Sequence, residues 1–306
     1  MDFCSPLPNG KKKESCYSDN SLVSIVESWN TLNKDKITIN KNESSSSILK
    51  KLTEKFEKLL HKKDTFWAWT DVLKEQAKKL NSSDKYEIIN KLKEVEHTDL
   101  RPAQPKEWVE NPVEWLSNFD IDKCLRQYEA VPEFKYKFLG VFSIDFGSKD
   151  KSNSNINVKQ IIKKGSIDFF GFITNLSKSN EPGTHWTSNF FVFNPNLPSF
   201  GGYYYDSTTG RIPQDLIPVY INIKEQSEKL FKKPFPIYIN NKRHQKSNTE
   251  CGIFSIAFQT RFLLLLRANP ETTVDQVINH PEFNDNKMKK LRFLFFRPNL
   301  YHLKKN

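Results

Sequence analysis

Five short runs rich in aromatic and β-branched residues lie between residues 135 and 241, and they constrain the fold more than any other feature of this chain. These runs are residues 135–146, 166–176, 185–194, 201–207 and 234–241. Helix-like stretches accompany them at about residues 213–232 and from Cys251 onward. The combination predicts an α+β fold in which a central, mostly antiparallel sheet is flanked by helices.

The first third of the chain has a helical pattern instead. From Ser21 to Glu96, apolar residues recur at spacings of three and four, as on one face of an α-helix. Two prolines in TDLRPAQPKEW then interrupt the pattern and mark a linker. We therefore predict a flexible leader over residues 1–20, an extra helical N-terminal arm over 21–108 and a second domain over 109–306.

The chain is basic, with a formal net charge of +11. Such an excess suits an anionic partner such as nucleic acid. The lysines are scattered, however, and they rarely alternate with aromatic residues as in proteins that bind single strands. Solvated helix faces therefore explain most of the charge, and we expect at most a weak association with nucleic acid through the basic surface.

The cysteines carry information about the compartment. Cys4, Cys16, Cys124 and Cys251 lie far apart, with neither a C-x-x-C pair nor the spacing of zinc ligands. This pattern argues against a disulfide framework and a structural zinc site, and it favours a reducing compartment. The longest apolar run, residues 262–266, is too short to span a bilayer, and the N-terminus lacks the apolar core of a signal peptide. We expect a soluble intracellular protein with no membrane span.

Cys251 lies where a polar loop gives way to an apolar helix, in NTECGIFSIAFQTRFLLLL. A thiol in the first turn of a helix is favoured as the nucleophilic thiolate by the helix dipole and by a nearby imidazole. Gly252 beside it lets a substrate backbone approach closely. A buried cysteine that only packs is the more common case, so the argument depends on partners for Cys251.

Three residues elsewhere supply such partners. His185 begins one strand-like run and Asp206 ends the next, so two antiparallel strands would bring the imidazole and the carboxylate together. Gln245 lies six residues before Cys251, and its amide could help the Cys251 backbone N–H to stabilise an oxyanion. His244 would point to the other face of a strand, and we assign it a structural role.

These motifs, taken together, resemble the Ulp1/adenain cysteine proteases, which include SUMO-specific proteases and viral maturation proteases. They read His185-Trp186, Tyr204-Tyr205-Asp206-Ser207, and Gln245 through Cys251-Gly252. The segments RHQKSNTECG and WLSNFDIDKCL are most similar to the polyprotein-processing proteases of large DNA viruses. The resemblance covers about residues 110–306. It departs at Asp206, where the viral relative carries an amide residue.

The resemblance implies a Ulp1/adenain-type fold for residues 109–306 and a cysteine endopeptidase activity. In this family pattern Cys251 is the nucleophile, His185 the base and Asp206 the residue that orients the base. It also implies cleavage after Gly-Gly, with Trp186 and Trp115 as walls of a narrow tunnel for the two glycines. No metal or organic cofactor is required. The implied substrate is a viral structural polyprotein, processed in the host cytoplasm and in the virion.

Two other functions stay open. The same chemistry would remove a ubiquitin-like modifier from conjugates in the cytoplasm or nucleus. A non-catalytic basic scaffold that binds nucleic acid is the second alternative, and the presence of all four candidate residues argues against it: His185, Asp206, Gln245 and Cys251.

Overall fold

A computed structural model describes residues 3–6, 15–147, 156–163 and 167–304. The helices are α1 (Asp19–Leu32), α2 (Ser45–Leu60), α3 (Trp69–Ala77), α4 (Asp84–Asp99), α5 (Asn118–Glu129), α6 (Val158–Lys163), α7 (Ile217–Phe231), α8 (Cys251–Ala268), α9 (Val274–Ile278), α10 (Asp285–Phe295) and α11 (Leu300–Lys304). The strands are β1 (Tyr136–Ser143), β2 (Phe169–Asn175), β3 (Trp186–Val192), β4 (Gly201–Tyr205) and β5 (Ile237–Ile239).

The chain divides into two compact units, Met1–Pro112 with Phe293–Asn306, and Val113–Arg292. Residues 293–306 therefore group with the N-terminal helices, where the sequence boundaries had placed them in the second domain. The reason is long-range packing and charge. Leu300 packs against the N-terminal core, and the buried guanidinium of Arg297 pairs with Asp71 and Glu96 at 2.8 Å each.

The N-terminal unit is built around stacked aromatic rings. The ring centroid of Phe56 lies 4.8 Å from that of Trp69 and 5.0 Å from that of Trp29. Ser18 and Ser44 cap α1 and α2, since each side chain accepts a hydrogen bond from a backbone N–H in the first turn. Capped, amphipathic helices with a shared aromatic core explain why this region is helical without a sheet.

One prediction about the N-terminus is wrong. Cys4 and Cys16 form a disulfide with a Cα–Cα distance of 5.0 Å, although the sequence pattern argued against disulfides. Within the predicted leader, Tyr17 is buried and donates a hydrogen bond to the Phe66 carbonyl. The spacing of two cysteines in the sequence does not show that α4 will bring them together. At the end of α4, the Asp99 carbonyl accepts a hydrogen bond from the Ser5 N–H. Residues 1, 2 and 7–14 of the predicted leader lie outside the described residues.

The second unit contains one sheet with the strands in chain order. The central pairs β2–β3 and β3–β4 are antiparallel, while the outer pairs β1–β2 and β4–β5 are parallel. The α+β class is confirmed, and the sheet is mixed where we had expected mostly antiparallel pairing. The outer pairs are parallel because a helix connects their strands, α6 between β1 and β2 and α7 between β4 and β5. Such a crossover returns the chain in its original direction.

Helix α8 packs on β3, and thirteen of its eighteen residues are buried. Among the described residues it is the one helix long and apolar enough to cross a membrane by composition, with a mean hydropathy of 1.3. Within this fold 72% of it is buried. A helix that is largely buried in a core has this composition for that reason.

Candidate active site

Cys251 is the first residue of α8, and its side chain is buried. The helix begins there because the polar loop before it ends and twelve buried residues follow Cys251 within α8. The Ser255 hydroxyl, one turn along, donates to the Trp186 carbonyl over 3.1 Å. This bond ties the first turn of α8 to the start of β3, directly after His185.

His185 and Asp206 are in direct contact. The register of β3 and β4 places Ser188 opposite Tyr205, so the start of one strand lies beside the end of the other. His185 Nε2 lies 2.8 Å from Asp206 Oδ1, and the carboxylate is buried. The Cys251 side chain also interacts with the imidazole, both as a hydrogen-bonding partner and as a charge.

The charges of these groups follow from their contacts. Burial lowers the pKa of His185, but hydrogen bonds with Asp206 and Cys251 and the charges of both raise it to a net value of about 9. Burial raises the pKa of Asp206, but the hydrogen bonds from His185 and Thr208 together have the larger effect. The pKa of this carboxyl is therefore lowered. At neutral pH the imidazole is therefore protonated and the carboxylate is ionised. An imidazolium beside a thiol favours the thiolate.

Backbone and side-chain donors hold the Asp206 carboxylate in place. The Thr208 N–H and hydroxyl both donate to Oδ1 at 2.8 Å. Asn240, just beyond β5, accepts from the Asp206 N–H at 2.8 Å and donates to its carbonyl at 2.7 Å. Gly210 is needed beside it, since an added Cβ would lie 2.3 Å from Asp206 Oδ2. Sequence reasoning missed Thr208 and Asn240, because a polar residue after a strand looks like any turn residue.

The Gln245 amide is buried, and Ser207 fixes its orientation. The Ser207 hydroxyl donates to Oε1 over 2.6 Å, so Nε2 must point the other way. Nε2 donates to the Ser247 carbonyl at 2.9 Å, and an amide nitrogen has a second hydrogen for a further acceptor. The backbone N–H of Gln245 is bound as well, by the Ser207 carbonyl at 2.9 Å.

Trp186 and Trp115 line the same cavity, which has a volume of about 370 Å³. The Trp186 indole N–H donates to the Leu116 carbonyl over 3.0 Å. A Cβ on Gly252 would lie 3.2 Å from Leu116 and 3.3 Å from Trp186, so the glycine lets both approach the nucleophile. The other lining residues come from three segments: Leu116, Ser117 and Asn118; Val141, Phe142 and Ser143; and Asn175, Ser177, Lys178, Ser179, Glu181 and Gly183.

The structure thus groups the residues that the sequence predicted: His185 contacts Asp206 and Cys251, and Gln245 contacts the residue after Asp206. The His244 side chain makes other contacts, although its backbone N–H donates to the Ser207 carbonyl at 2.9 Å. The imidazole and the Tyr205 hydroxyl share a hydrogen bond of 2.9 Å, and the imidazole stacks on neighbouring aromatic rings. Burial and the charge of Lys242 lower its pKa to about 4, which fits a structural residue. Within the described ranges, no three His, Cys, Asp or Glu side chains cluster as metal ligands would.

A buried ion pair next to the nucleophile was also missed. Glu250 precedes Cys251, and its Oε2 accepts a hydrogen bond from Arg292 Nε over 2.7 Å. No local sequence pattern indicates this ion pair, because the two residues are 42 positions apart.

The chain has viral relatives over most of its length. A thiol protease of Acanthamoeba polyphaga mimivirus is 26% identical over 282 residues, which are 86% of this chain and 85% of the relative. A cysteine protease of African swine fever virus is 24% identical over 266 residues, 82% of this chain and 91% of the relative. The crystal structure of an African swine fever virus protease superposes with a TM-score of 0.60 at 20% identity, covering 97% of this chain and 96% of that one. No known protein-family profile matches the chain.

These relatives agree with the motifs and with the fold. The sequence similarity extends across both units, and the structural similarity covers nearly the whole chain, including the N-terminal arm that the motifs left unmatched. The chain is a cysteine-type protease that is similar to these viral thiol and cysteine proteases over most of its length.

Proposed function

We propose that this protease is an endopeptidase that cleaves after Gly-Gly in Gly-Gly-x sites of a viral structural polyprotein, through a Cys251–His185–Asp206 triad. The observation that carries the proposal is the chain of contacts from Asp206 through His185 to Cys251, at the start of a buried helix. A papain-like or serine-dependent site would need other residues in another order.

The proposed reaction proceeds through an acyl-enzyme. The Cys251 thiolate attacks the scissile carbonyl carbon, and the Gln245 amide and the Cys251 backbone N–H stabilise the oxyanion. The His185 imidazolium protonates the leaving amine as the C–N bond breaks. Neutral His185 then takes a proton from water, whose oxygen attacks the thioester, and the thiolate leaves. Asp206 stays ionised and orients the ring throughout.

The shape of the cavity supports small residues next to the cleaved bond. Trp186 is half-buried against Leu116 and Gly252, while the Trp115 side chain is 41% exposed. We expect the two indoles to leave little room for side chains at the positions that pass between them. Glycine pairs satisfy this restriction, and larger residues would be excluded by contact with the rings.

A fluorogenic peptide containing Gly-Gly-x tests the proposal. We expect turnover by the wild-type chain and none by Cys251→Ala, with a matched Ala-Ala-x peptide cut at least about a hundredfold more slowly. Cys124→Ala is the control for loss of a buried thiol, since Cys124 lies in the interior of α5. Equal cleavage of both peptides would contradict the Gly-Gly specificity. Cleavage by Cys251→Ala would contradict the triad.

Deconjugation of a ubiquitin-like modifier is the second candidate. The observation in its favour is that African swine fever virus relatives, 23–24% identical to this chain, are named as SUMO-1 cysteine proteases. A folded modifier fused through Gly-Gly to a reporter distinguishes the two. If the fusion is cut far faster than the short peptide, a docking surface for the modifier contributes, and deconjugation is favoured. Similar rates favour polyprotein processing, which we expect in the host cytoplasm and the virion.

A further inference from the structure

We infer that Arg292, held by Glu250, is a positioning residue that sets the wall of the substrate cavity relative to the nucleophile. Here the wall segment denotes residues 113–116, which end in Trp115 and Leu116. The inference deepens the proposed function and rests on it in one respect: the wall segment is taken to contact substrate.

The guanidinium makes an unusual set of contacts for a buried arginine. Its Nε donates to Glu250 Oε2 at 2.7 Å, and both side chains are almost fully buried, with 1% and 0% exposure. Its remaining nitrogens donate to three backbone carbonyls, those of Glu114 at 2.7 Å, Thr249 at 2.9 Å and Val113 at 3.3 Å. A planar fork of five donors can hold several acceptors in fixed directions at once, which an ammonium cannot.

These contacts join two segments that the site requires. Thr249 and Glu250 come directly before Cys251, and Val113 and Glu114 come directly before Trp115. The far end of the wall segment is held independently, because the Leu116 carbonyl accepts the Trp186 indole N–H. Arg292 therefore fixes one end of the wall segment to the nucleophile loop, and Trp186 fixes the other end.

The proposed triad does not itself need an ion pair at this position. His185 and Asp206 bind each other, and the Gln245 amide binds Ser207 and Ser247. Replacing such a pair with apolar residues is often neutral for stability. Its location between the two segments therefore points to the geometry of substrate binding.

The main test variant is Arg292→Lys, which retains a charge for Glu250 but has too few donors to hold that carboxylate and three carbonyls at once. Glu250→Gln with Arg292→Met is the second variant, because it removes both charges and leaves neither buried alone. Arg126→Lys is the matched control, an exposed arginine on α5 paired with Asp122 and Glu129. Three quantities are measured on the full chain: kcat and KM for the Gly-Gly-x peptide, the rate of Cys251 alkylation by iodoacetamide, and hydrogen–deuterium exchange of residues 113–117.

We expect both test variants to raise KM about tenfold, with alkylation within about twofold of wild type and faster exchange at residues 113–117. Arg126→Lys should match the wild type in all three. Alkylation that falls as far as kcat/KM would overturn the inference, since the pair would then only maintain the nucleophile loop. Unchanged KM and exchange would overturn it too.

If the wild type fails to cut Gly-Gly-x peptides, the proposed specificity fails. Hydrogen–deuterium exchange of residues 113–117 then tests the inference by itself. Unchanged exchange in Arg292→Lys overturns the inference, and faster exchange with normal alkylation supports it.

Discussion

The Ser207 hydroxyl donates a 2.6 Å hydrogen bond to Gln245 Oε1, and this bond decides which end of the buried amide is available as a donor. Serine follows the proposed triad carboxylate Asp206, while Gln245 precedes the nucleophile by six residues. The orienting group and the proposed oxyanion donor thus come from two separate loops.

Removing this hydroxyl should impair turnover more than binding. We expect Ser207→Ala to lower kcat about tenfold with little change in KM, because the amide can then rotate and the oxyanion is stabilised less. Ser199→Ala is the control: Ser199 is equally buried, and its hydroxyl has no hydrogen-bond partner among the described residues. Steady-state kinetics of the two variants provide the comparison. Equal effects of both substitutions would show that Ser207 only packs.

The pH profile should report His185. Its pKa is raised to about 9, so we expect kcat/KM to fall as the pH rises through about 9, where the proton donated to the leaving amine is lost. Asp206→Asn removes a hydrogen bond and a charge that raise this pKa, while burial still lowers it. The falling limb should therefore move to lower pH, and kcat should drop by about two to four orders of magnitude.

A histidine away from the site controls for this effect. His280→Asn should leave the profile unchanged, since His280 lies beside Arg261 and Glu282 and contacts no triad residue. His244 is excluded as the titrating group near pH 9, because its pKa is about 4. If Asp206→Asn keeps the wild-type limb, Asp206 does not set the pKa of His185.

Gly210→Ala should displace the carboxylate without altering any triad residue. The added Cβ would lie 2.3 Å from Asp206 Oδ2, which no real contact allows. We expect kcat/KM to fall about a hundredfold, as for a misplaced catalytic group. Gly252→Ala makes a useful comparison, since its Cβ contacts of 3.2–3.3 Å are tight but not overlapping and should chiefly raise KM. Normal kinetics for Gly210→Ala would mean that the Asp206 position is not critical.

The Cys4–Cys16 disulfide should contribute to stability and not to peptide cleavage. We expect Cys4→Ser with Cys16→Ser to lower the free energy of unfolding of the N-terminal unit by about 3 kcal/mol, a typical value for a loop of this size. Denaturant unfolding with and without a reductant measures the effect. The reduced wild type should match the variant. An identical transition in oxidised wild type and variant would contradict the contribution.

Local sequence patterns predicted the elements of this fold well. The aromatic and β-branched residues of the short runs and the spacing of three to four in the helices are visible in neighbouring residues, so all five strands and the helix at Cys251 lie where expected. The chemistry of the site was also readable, because imidazole, carboxylate, amide and thiol follow one another in the order of a known protease family. Their catalytic roles stay predictions until the variants above are measured.

Only the tertiary structure decided which distant residues meet. The contact of His185 with Asp206 depends on the register of β3 and β4, and the clamp of Asn240 on Asp206 depends on a helical crossover that makes β5 parallel to β4. The Arg292–Glu250 ion pair, the disulfide and the return of residues 293–306 to the N-terminal unit have no local signature either. A sequence shows the spacing and chemistry of residues that are neighbours along the chain. These contacts depend instead on how whole elements pack, and packing is a property of the folded chain.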